Sequence, residues 1–533
     1  MTWFSLPALR AEKPPAFADM VSCNDWLALQ PLANAPLMQG ELAQQLESLN
    51  GWNIPARERF KLLETLRKAV FAIEAESLKR YEYRPLPLSP VEQKALETSC
   101  QLWRGLATGY LHCLRACLDG DTALAEHCPK ICHRTLTSLR LEQLSRYRGG
   151  VVVPGNWWRL LHATLAAAEQ LGVTDTAVSD RLFAETREST PTAQYAMAIL
   201  LHLCRPHELS RSQFSAVQRW LSRWRAQVEI HATASSARDS RCLLIDLSSD
   251  APAHLSGSAP AMPRWLSIDS ILGKFKSRIK SLREGQTPED LKLGSGLPAE
   301  ACISLMQFLH GALQSPPLPL PTCREEKRHV GVCSTVERIY LLLGGKPLEE
   351  EDAPTTQSNR RIHEQIAIFG RAATAEQTER AAVKVPLEQW KLVGEPMSDG
   401  GLTLLRAAGS EGDRLSARSL IAVHDPGSKS PLLAIVRCLA TLEDGTLYAL
   451  VRELPEEPVA LIATGREKMT NRIVRHPAVF LPASGLVGKP ASLFIPAGAM
   501  AKLTRLDVPA LPQDLKIGAP LDRGANFERF RCE

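Results

Sequence analysis

Serine, glycine and arginine occur in this chain in an arrangement suited to holding an anion. Residues 389–404 read as an extended strand, a tight polar turn carrying Ser398 and Gly401, and a second strand. Further on, Leu433-Ala434-Ile435-Val436-Arg437 predicts a short strand that places Arg437 at the rim of a small all-β unit. A glycine pair beside a serine lets a backbone approach a ligand closely, and arginine suits phosphate oxygens and guanine edges. Such a unit is a binding module rather than an enzyme.

A second constellation is made of thiols. Cys113 with Cys117, and Cys128 with Cys132, are each spaced four apart on one helix face, with His112, His127 and His133 beside them. Buried packing, a metal site and a pair of disulfides are the three readings of this group. Packing is preferred, because metal sites more often use tighter spacing in loops and Pro129 suits the first turn of a helix. Other candidates are single features. Gly149-Gly150-Val151-Val152-Val153-Pro154-Gly155 lacks the lysine of a phosphate loop and reads as an inter-helix turn. Asp246 follows an apolar strand without a nameable base. His329 and Cys333 share a strand face, and the pairs Trp157-Trp158 and Trp220 with Trp224 read as core or as inter-helix anchors. No catalytic group can be paired with another, so no enzyme activity and no metal are expected.

The elements that must position these residues belong to an ordinary globular protein. The chain has 533 residues, 44% hydrophobic and 23% charged, with a net charge of +5. That length implies several domains. The charge is too small and too scattered for DNA or RNA binding. The N-terminus lacks a basic leader followed by an apolar run, and no apolar stretch is long enough to cross a bilayer. A cytoplasmic location without a membrane span is therefore expected.

Along the chain, residues 1–50 read as a loosely structured, proline-rich arm, and residues 51–228 as a helical domain. Phe60, Leu63, Leu66, Val70 and Ile73 recur at three- and four-residue spacing. Ser89 and Pro90 suit the cap and first position of a second helix running to Leu118. Further helices are expected over 122–147, 157–171, 178–186, 191–203 and 211–228, as stacked hairpins. Residues 229–345 read as mixed and mainly helical, with short strands near 230, 242–247 and 329–333. Residues 346–382, opening on Glu349-Glu350-Glu351-Asp352, read as a linker. From 383 to 533 short strands alternate with glycine, proline and charged turns, the pattern of an antiparallel barrel with a β extension. The fold class is α+β multidomain, with an all-α helical-hairpin N-terminal part and a C-terminal antiparallel β-barrel.

Over roughly 360–463 the chain resembles the PilZ domain, a β-barrel receptor for the bacterial second messenger cyclic di-GMP. Ser398 with Gly401 matches the second half of that family's turn motif, and the runs 420–423 and 434–437 match strands ending in Val-Arg. Arg360-Arg361 matches the start of its arginine clamp, placed just upstream of the barrel. The resemblance implies a cyclic di-GMP site built from Arg360, Arg361, Ser398, Gly401 and Arg437. It also implies a receptor that passes the signal to a protein partner through the helical part, with motility, pili, attachment or exopolysaccharide as output. Two departures stand out. Pro396 occupies the motif's Asp or Asn position, and Glu364 and Gln365 stand where the second clamp arginine, four residues after the first, is expected; Arg371 and Arg380 are the substitutes at hand. The alternative is a non-enzymatic adaptor whose barrel binds protein rather than nucleotide.

Overall fold

The computed structural model describes residues 4–9, 14–31, 34–183, 188–234, 241–253, 259–315, 327–348, 385–394, 400–428, 430–483, 490–511 and 515–533. The chain divides into two compact units, residues 1–320 with 440–443, and residues 321–439 with 444–533.

The first unit is built on helices α1 (Met20–Ala28), α2 (Ala35–Gly51), α3 (Ala56–Ser77), α4 (Pro90–Leu118), α5 (Cys128–Arg148) and α6 (Gly155–Gln170). The arm expected at residues 1–50 is therefore largely helical, because Met38, Leu42, Leu46 and Leu49 bury one face of α2 in a common core with α3 and α4. Local chemistry sets the ends of α4. Ser89 Oγ accepts from the Glu92 amide at 3.4 Å while the Ser89 amide donates to Glu92 Oε2 at 2.8 Å, with Pro90 in the first turn. Gly109 of α4 packs directly against Leu63 of α3. A Cβ there would meet Leu63 Cδ2 at 2.6 Å. Pro129 in the first turn of α5 splits the helix expected over 122–147 into a 3₁₀ turn, Thr122–His127, and α5.

Beyond α6 the helix expected at 178–186 does not form over its described residues, 178–183, which are a short strand and a turn. Strand β1 (Val178–Ser179) pairs antiparallel with β2 (Glu188–Ser189). Asp180 is the reason. Its carboxylate is held by Arg134 at 2.8 Å and by Arg67, which fixes an irregular loop instead of a helical turn. Helices α7 (Pro191–Leu203) and α8 (Arg211–Trp224) follow, then a three-stranded sheet of β3 (Ile230–His231), β4 (Cys242–Asp246) and β5 (Pro263–Ser267) in the order β3-β5-β4. Helices α9 (Asp269–Arg283) and α10 (Ala299–Ala312) close the unit. Trp157, Trp158, Trp220 and Trp224 all lie in its main core, the last two stacked at 6.2 Å.

The second unit opens with β6 (Lys327–Cys333) and helix α11 (Val336–Leu342). Strands β7 (Glu388–Val393), β8 (Gly401–Arg406), β9 (Leu420–His424), β10 (Leu432–Thr441) and β11 (Leu447–Leu454) follow. These six strands form a closed antiparallel barrel in the order β10-β11-β8-β7-β6-β9. The barrel thus starts at Lys327, upstream of the boundary expected at 383, because β6 pairs on both sides: Val332 stands opposite Glu388 of β7 and Val423 of β9. Strands β12 (Val459–Glu467), β13 (Ile473–Leu481), β14 (Ser492–Pro496), β15 (Leu503–Asp507), β16 (Ile517–Arg523) and β17 (Phe527–Cys532) make a second, six-stranded sheet. Val336 and Ile339 of α11 share a core with Leu420, Ala422, Leu433 and Ile435 of the barrel and with Val479, Phe494 and Phe527 of the sheet. Leu420 to Val423 are consequently all buried, one face toward the barrel and the other toward α11, and the run reads as continuous rather than alternating.

Candidate functional site

The antiparallel pairing brings a defined set of residues to one rim of the barrel. Strand β7 ends there and β8 begins there, joined by residues 394–400. The turn is flanked by Gly394 and Gly400 at φ of +68° and +75°. Those backbone conformations strain a residue with a Cβ, which accounts for glycine at both positions. Gly401 follows directly and stands opposite Arg452, an exposed residue near the end of β11. The start of β6 reaches the same rim, with Lys327 opposite Val393 and Arg328 opposite Leu392. Strand β9 ends there too, and Asp425, just past it, accepts from Arg328 Nη1 at 3.4 Å. The Arg328 side chain is 62% exposed, so this pair holds the guanidinium loosely and leaves its fork accessible. His424, with a buried Nδ1 that has no hydrogen-bond partner among the described residues, stands opposite Gly331.

The opposite end of the barrel is occupied by its own side chains. Glu388 Oε2 accepts from Arg406 Nη1 at 2.7 Å and from Trp390 Nε1 at 3.1 Å, while Glu388 Oε1 takes the Asp413 amide at 2.8 Å. The Arg406 guanidinium lies 5.2 Å from the centre of the Trp390 ring. Asp413 is itself anchored by Arg338 at 2.6 Å and Ser334 at 2.9 Å. Every partner of this network belongs to the barrel, its loop 407–416 or the start of α11.

Of the five site residues expected from the sequence, Gly401 lies at the first rim. Ser398, with Pro396, lies outside the described residues, as do Arg360, Arg361, Arg371 and Arg380. Arg437 does not join Gly401. It sits in the middle of β10, five residues from the strand's rim end, or about 17 Å of strand rise. The hydrogen bonds of Val436 with Ser419 and Arg418 put it beyond the start of β9, toward the β10–β11 hairpin.

Sequence reasoning passed over a pair of arginines. Arg324-Glu325-Glu326-Lys327-Arg328 places two arginines four apart, immediately ahead of and within the first barrel strand. The signal was present in the spacing. The strand at 329–333 reads locally as part of the mainly helical stretch 229–345, which puts the expected start of the barrel at 383.

The remaining candidates have structural roles. Asp246 is partly desolvated, which works upward on its pKa. Bonds from the Ser248 amide and hydroxyl and from the Met262 and Ala261 amides outweigh this and hold the carboxyl at about 2. It ties together the β4–β5 connection. Cys333 is fully buried and pushed by burial to about 12, which rules it out as a nucleophile beside exposed His329. Gly149 and Gly150 end α5 in a turn packed against Leu96 and Leu86. Cys113, Cys117, Cys128 and Cys132 are free thiols within the α2–α5 core. Among the described residues, no group of three or more His, Cys, Asp and Glu side chains is placed to hold a metal ion, and no helix is long and apolar enough to cross a membrane.

Comparison with known proteins bears on the helical part. No curated protein and no solved structure matches the chain. Residues 21–235, from α1 to the sheet that follows α8, match the family model described as the N-terminal domain of the cyclic-di-GMP receptor FimW. The matched stretch lies within the first unit and includes none of the barrel strands.

Proposed function

We propose that this chain is a non-enzymatic receptor that binds cyclic di-GMP at the β6–β7–β8 rim of a PilZ-like barrel and relays occupancy to a protein partner through its helical part. Two independent features support the reading. The helical part carries the family match to the N-terminal domain of a cyclic-di-GMP receptor, and the second unit contains a closed antiparallel barrel, the architecture the resemblance implies. The observation that carries the site is the register of β6. Arg328 stands opposite Leu392, two residues before the glycine that opens the Ser398 turn.

The clamp then belongs to Arg324 and Arg328, the pair with four-residue spacing next to the barrel's first strand, in preference to Arg360 and Arg361. Each guanidinium can take two phosphate oxygens, or guanine O6 and N7, through its planar fork. The backbone at Gly400 and Gly401, free of side chains, admits the ligand close to the turn. The Pro396 position supplies no acceptor for guanine, so recognition falls on the arginines and on Ser398. Motility, pili, attachment or exopolysaccharide are the outputs that the resemblance implies.

Isothermal titration of the purified chain with cyclic di-GMP, with GTP and cyclic AMP as controls, tests this reading. Saturable micromolar binding of cyclic di-GMP alone is expected. It should be lost in Arg324→Ala with Arg328→Ala and kept in Arg360→Ala with Arg361→Ala. The reverse pattern would return the clamp to 360–361. No binding by the unaltered protein would leave the adaptor reading.

A further inference from the structure

The hairpin between β12 and β13 ends in a surface that is apolar and cationic at once. Met469, in its turn, is 96% exposed, more than any other large hydrophobic side chain among the described residues, and Ile473, which opens β13, is 69% exposed. The turn that carries them is held by its own backbone. The Glu467 amide donates to the Arg472 carbonyl and the Asn471 amide to the Glu467 carbonyl, both at 2.9 Å, and the Lys468 amide reaches the Lys502 carbonyl at 2.8 Å. Both apolar side chains are therefore presented from a fixed tip, at a cost in exposed hydrocarbon that folding of this chain does not recover.

Strand register places cations around the tip. Ile473 stands opposite Arg466, and Arg475, two residues on, stands opposite Thr464, which also faces Asp507 of β15. Cross-strand partners share a face, so Ile473, Arg466 and Arg475 project from one side of the sheet. Arg505, two residues before Asp507, joins them there. The other side, with Ala463 and Leu506, is filled by the core. Lys468 and Lys502 lie exposed beside the turn. The described partners of Arg466 and Lys468 are neutral: Arg466 Nη1 donates to Asn471 Oδ1 at 3.3 Å, and Lys468 Nζ to the Ala501 carbonyl at 2.9 Å. The three strands and the turn hold only two carboxylates, Glu467 and Asp507. Asp507 stands 3.7 Å from Arg505 with both side chains largely in solvent, a pair too loose to hold that arginine in place.

We propose that this hairpin tip docks on an anionic lipid bilayer, with Met469 and Ile473 among the outer acyl chains and Arg466, Lys468, Arg475 and Lys502 on the phosphates above them. The spacing fits the layers of a membrane surface. Arg475 stands about 7 Å from Ile473 along β13, and apolar groups at an interface reach about 5–10 Å below the headgroups. The long cationic side chains lay their stems along hydrocarbon and keep their charged ends at phosphate level. A nucleic acid would meet the cations and leave the apolar pair in water. An acidic protein would need a pocket shaped to a convex tip, whereas a bilayer offers phosphate over hydrocarbon to any approach. The surface shares no residue with the barrel rim, and neither proposal rests on the other.

The experiment is co-sedimentation of the full chain with vesicles of phosphatidylcholine alone and of phosphatidylcholine mixed with phosphatidylglycerol. The chain is expected to pellet with the mixed vesicles at low salt, to be released at high salt, and to stay in solution with phosphatidylcholine alone. Arg466→Gln with Lys468→Gln weakens the partition at least about tenfold, and Met469→Ser with Ile473→Ser does so to a similar degree. Lys276→Gln with Arg283→Gln, which removes two exposed cations from α9, leaves it unchanged. In Met469→Trp the added indole emission is quenched by brominated acyl chains. Absence of pelleting with the mixed vesicles at low salt, equal pelleting with both lipids, an equal loss in the α9 variant or an unquenched indole overturns the proposal. So does affinity unchanged in Met469→Ser with Ile473→Ser, and displacement of that variant by random-sequence duplex DNA would assign the cations to nucleic acid instead. The substituted positions are all exposed, and a thermal melt of each variant confirms that it is folded.

Discussion

Arg406 and Glu388 meet at 2.7 Å at one end of the barrel, with side chains only 2% and 7% exposed. Glu388 also takes Trp390 Nε1 and the Asp413 amide, so one carboxylate fixes two strands and the 407–416 loop. Gly412, at φ +157°, lies under the pair, and a Cβ there would meet Arg406 Nη1 at 2.4 Å. Glu388→Ala would leave the Arg406 charge buried without a partner, at a cost of about 3–5 kcal/mol. Adding Arg406→Met should recover part of that loss, because it removes the stranded charge. Urea unfolding of the single and double variants measures both steps. Equal stability of Glu388→Ala and the unaltered chain would mean that water reaches this end of the barrel and solvates Arg406.

The loose Arg328–Asp425 pair leads to a different expectation. Arg328→Ala should change stability by less than about 0.5 kcal/mol, since exposed ion pairs contribute little. Its effect belongs in the affinity for cyclic di-GMP. Arg437→Ala, mid-strand and far from the turn, should leave that affinity unaltered. Titrating the two variants side by side distinguishes the rim site from one that includes Arg437, for which the order of effects would invert.

Those two arginines mark the limit of what the sequence made legible. Helices with strong local determinants were readable to the residue: α4 from Ser89-Pro90 and its apolar stripe, and α7 from Pro191. Asp180 was not, because the guanidiniums that hold its loop come from α3 and α5, far away in the chain. Strand β6 was seen as a strand but not as part of the barrel. Its partners, β7 and β9, lie more than fifty residues further on, and no local pattern encodes a long-range pairing. The position of Arg437 failed for the same reason: strand length and register, not composition, decide which rim a residue reaches.

The thiols of α4 and α5 give a chemical test of the core. Burial pushes Cys113 and Cys132 to about 12, and Cys117 is raised further still, by burial first and then by its contact with Cys128. Thiolate, the reactive form, is therefore scarce at these positions. Among the described thiols, Ellman's reagent at pH 8 should label the native protein slowly, starting with half-buried Cys242 and Cys438, whereas all thirteen cysteines of the chain react in denaturant. Rapid labelling of four further thiols in the native state would show that the α4–α5 seam opens readily.

Glu74 provides the pH dependence. Burial is the dominant influence and raises its carboxyl from 4.5 to about 7, against hydrogen bonds from Ser99, Gln39 and Trp103. The folded chain therefore holds a proton that the unfolded chain releases between these values. Stability is at its full value below pH 4.5, as far as this group is concerned, and is lost as pH rises toward 7. Two and a half pKa units correspond to a loss on the order of 3 kcal/mol. Partly buried histidines oppose this: His112 and His207, held at about 4 mainly by desolvation, favour the folded chain more as pH rises through the same range. The difference between variants isolates the carboxyl. Glu74→Gln places an N–H where the protonated acid has its O–H and keeps the acceptor that Gln39 Nε2 meets at 2.7 Å. Relative to the unaltered chain it should be neutral at pH 4.5 and increasingly stabilising up to pH 8. A stability difference that does not vary with pH would show that Glu74 is ionised in the folded protein throughout.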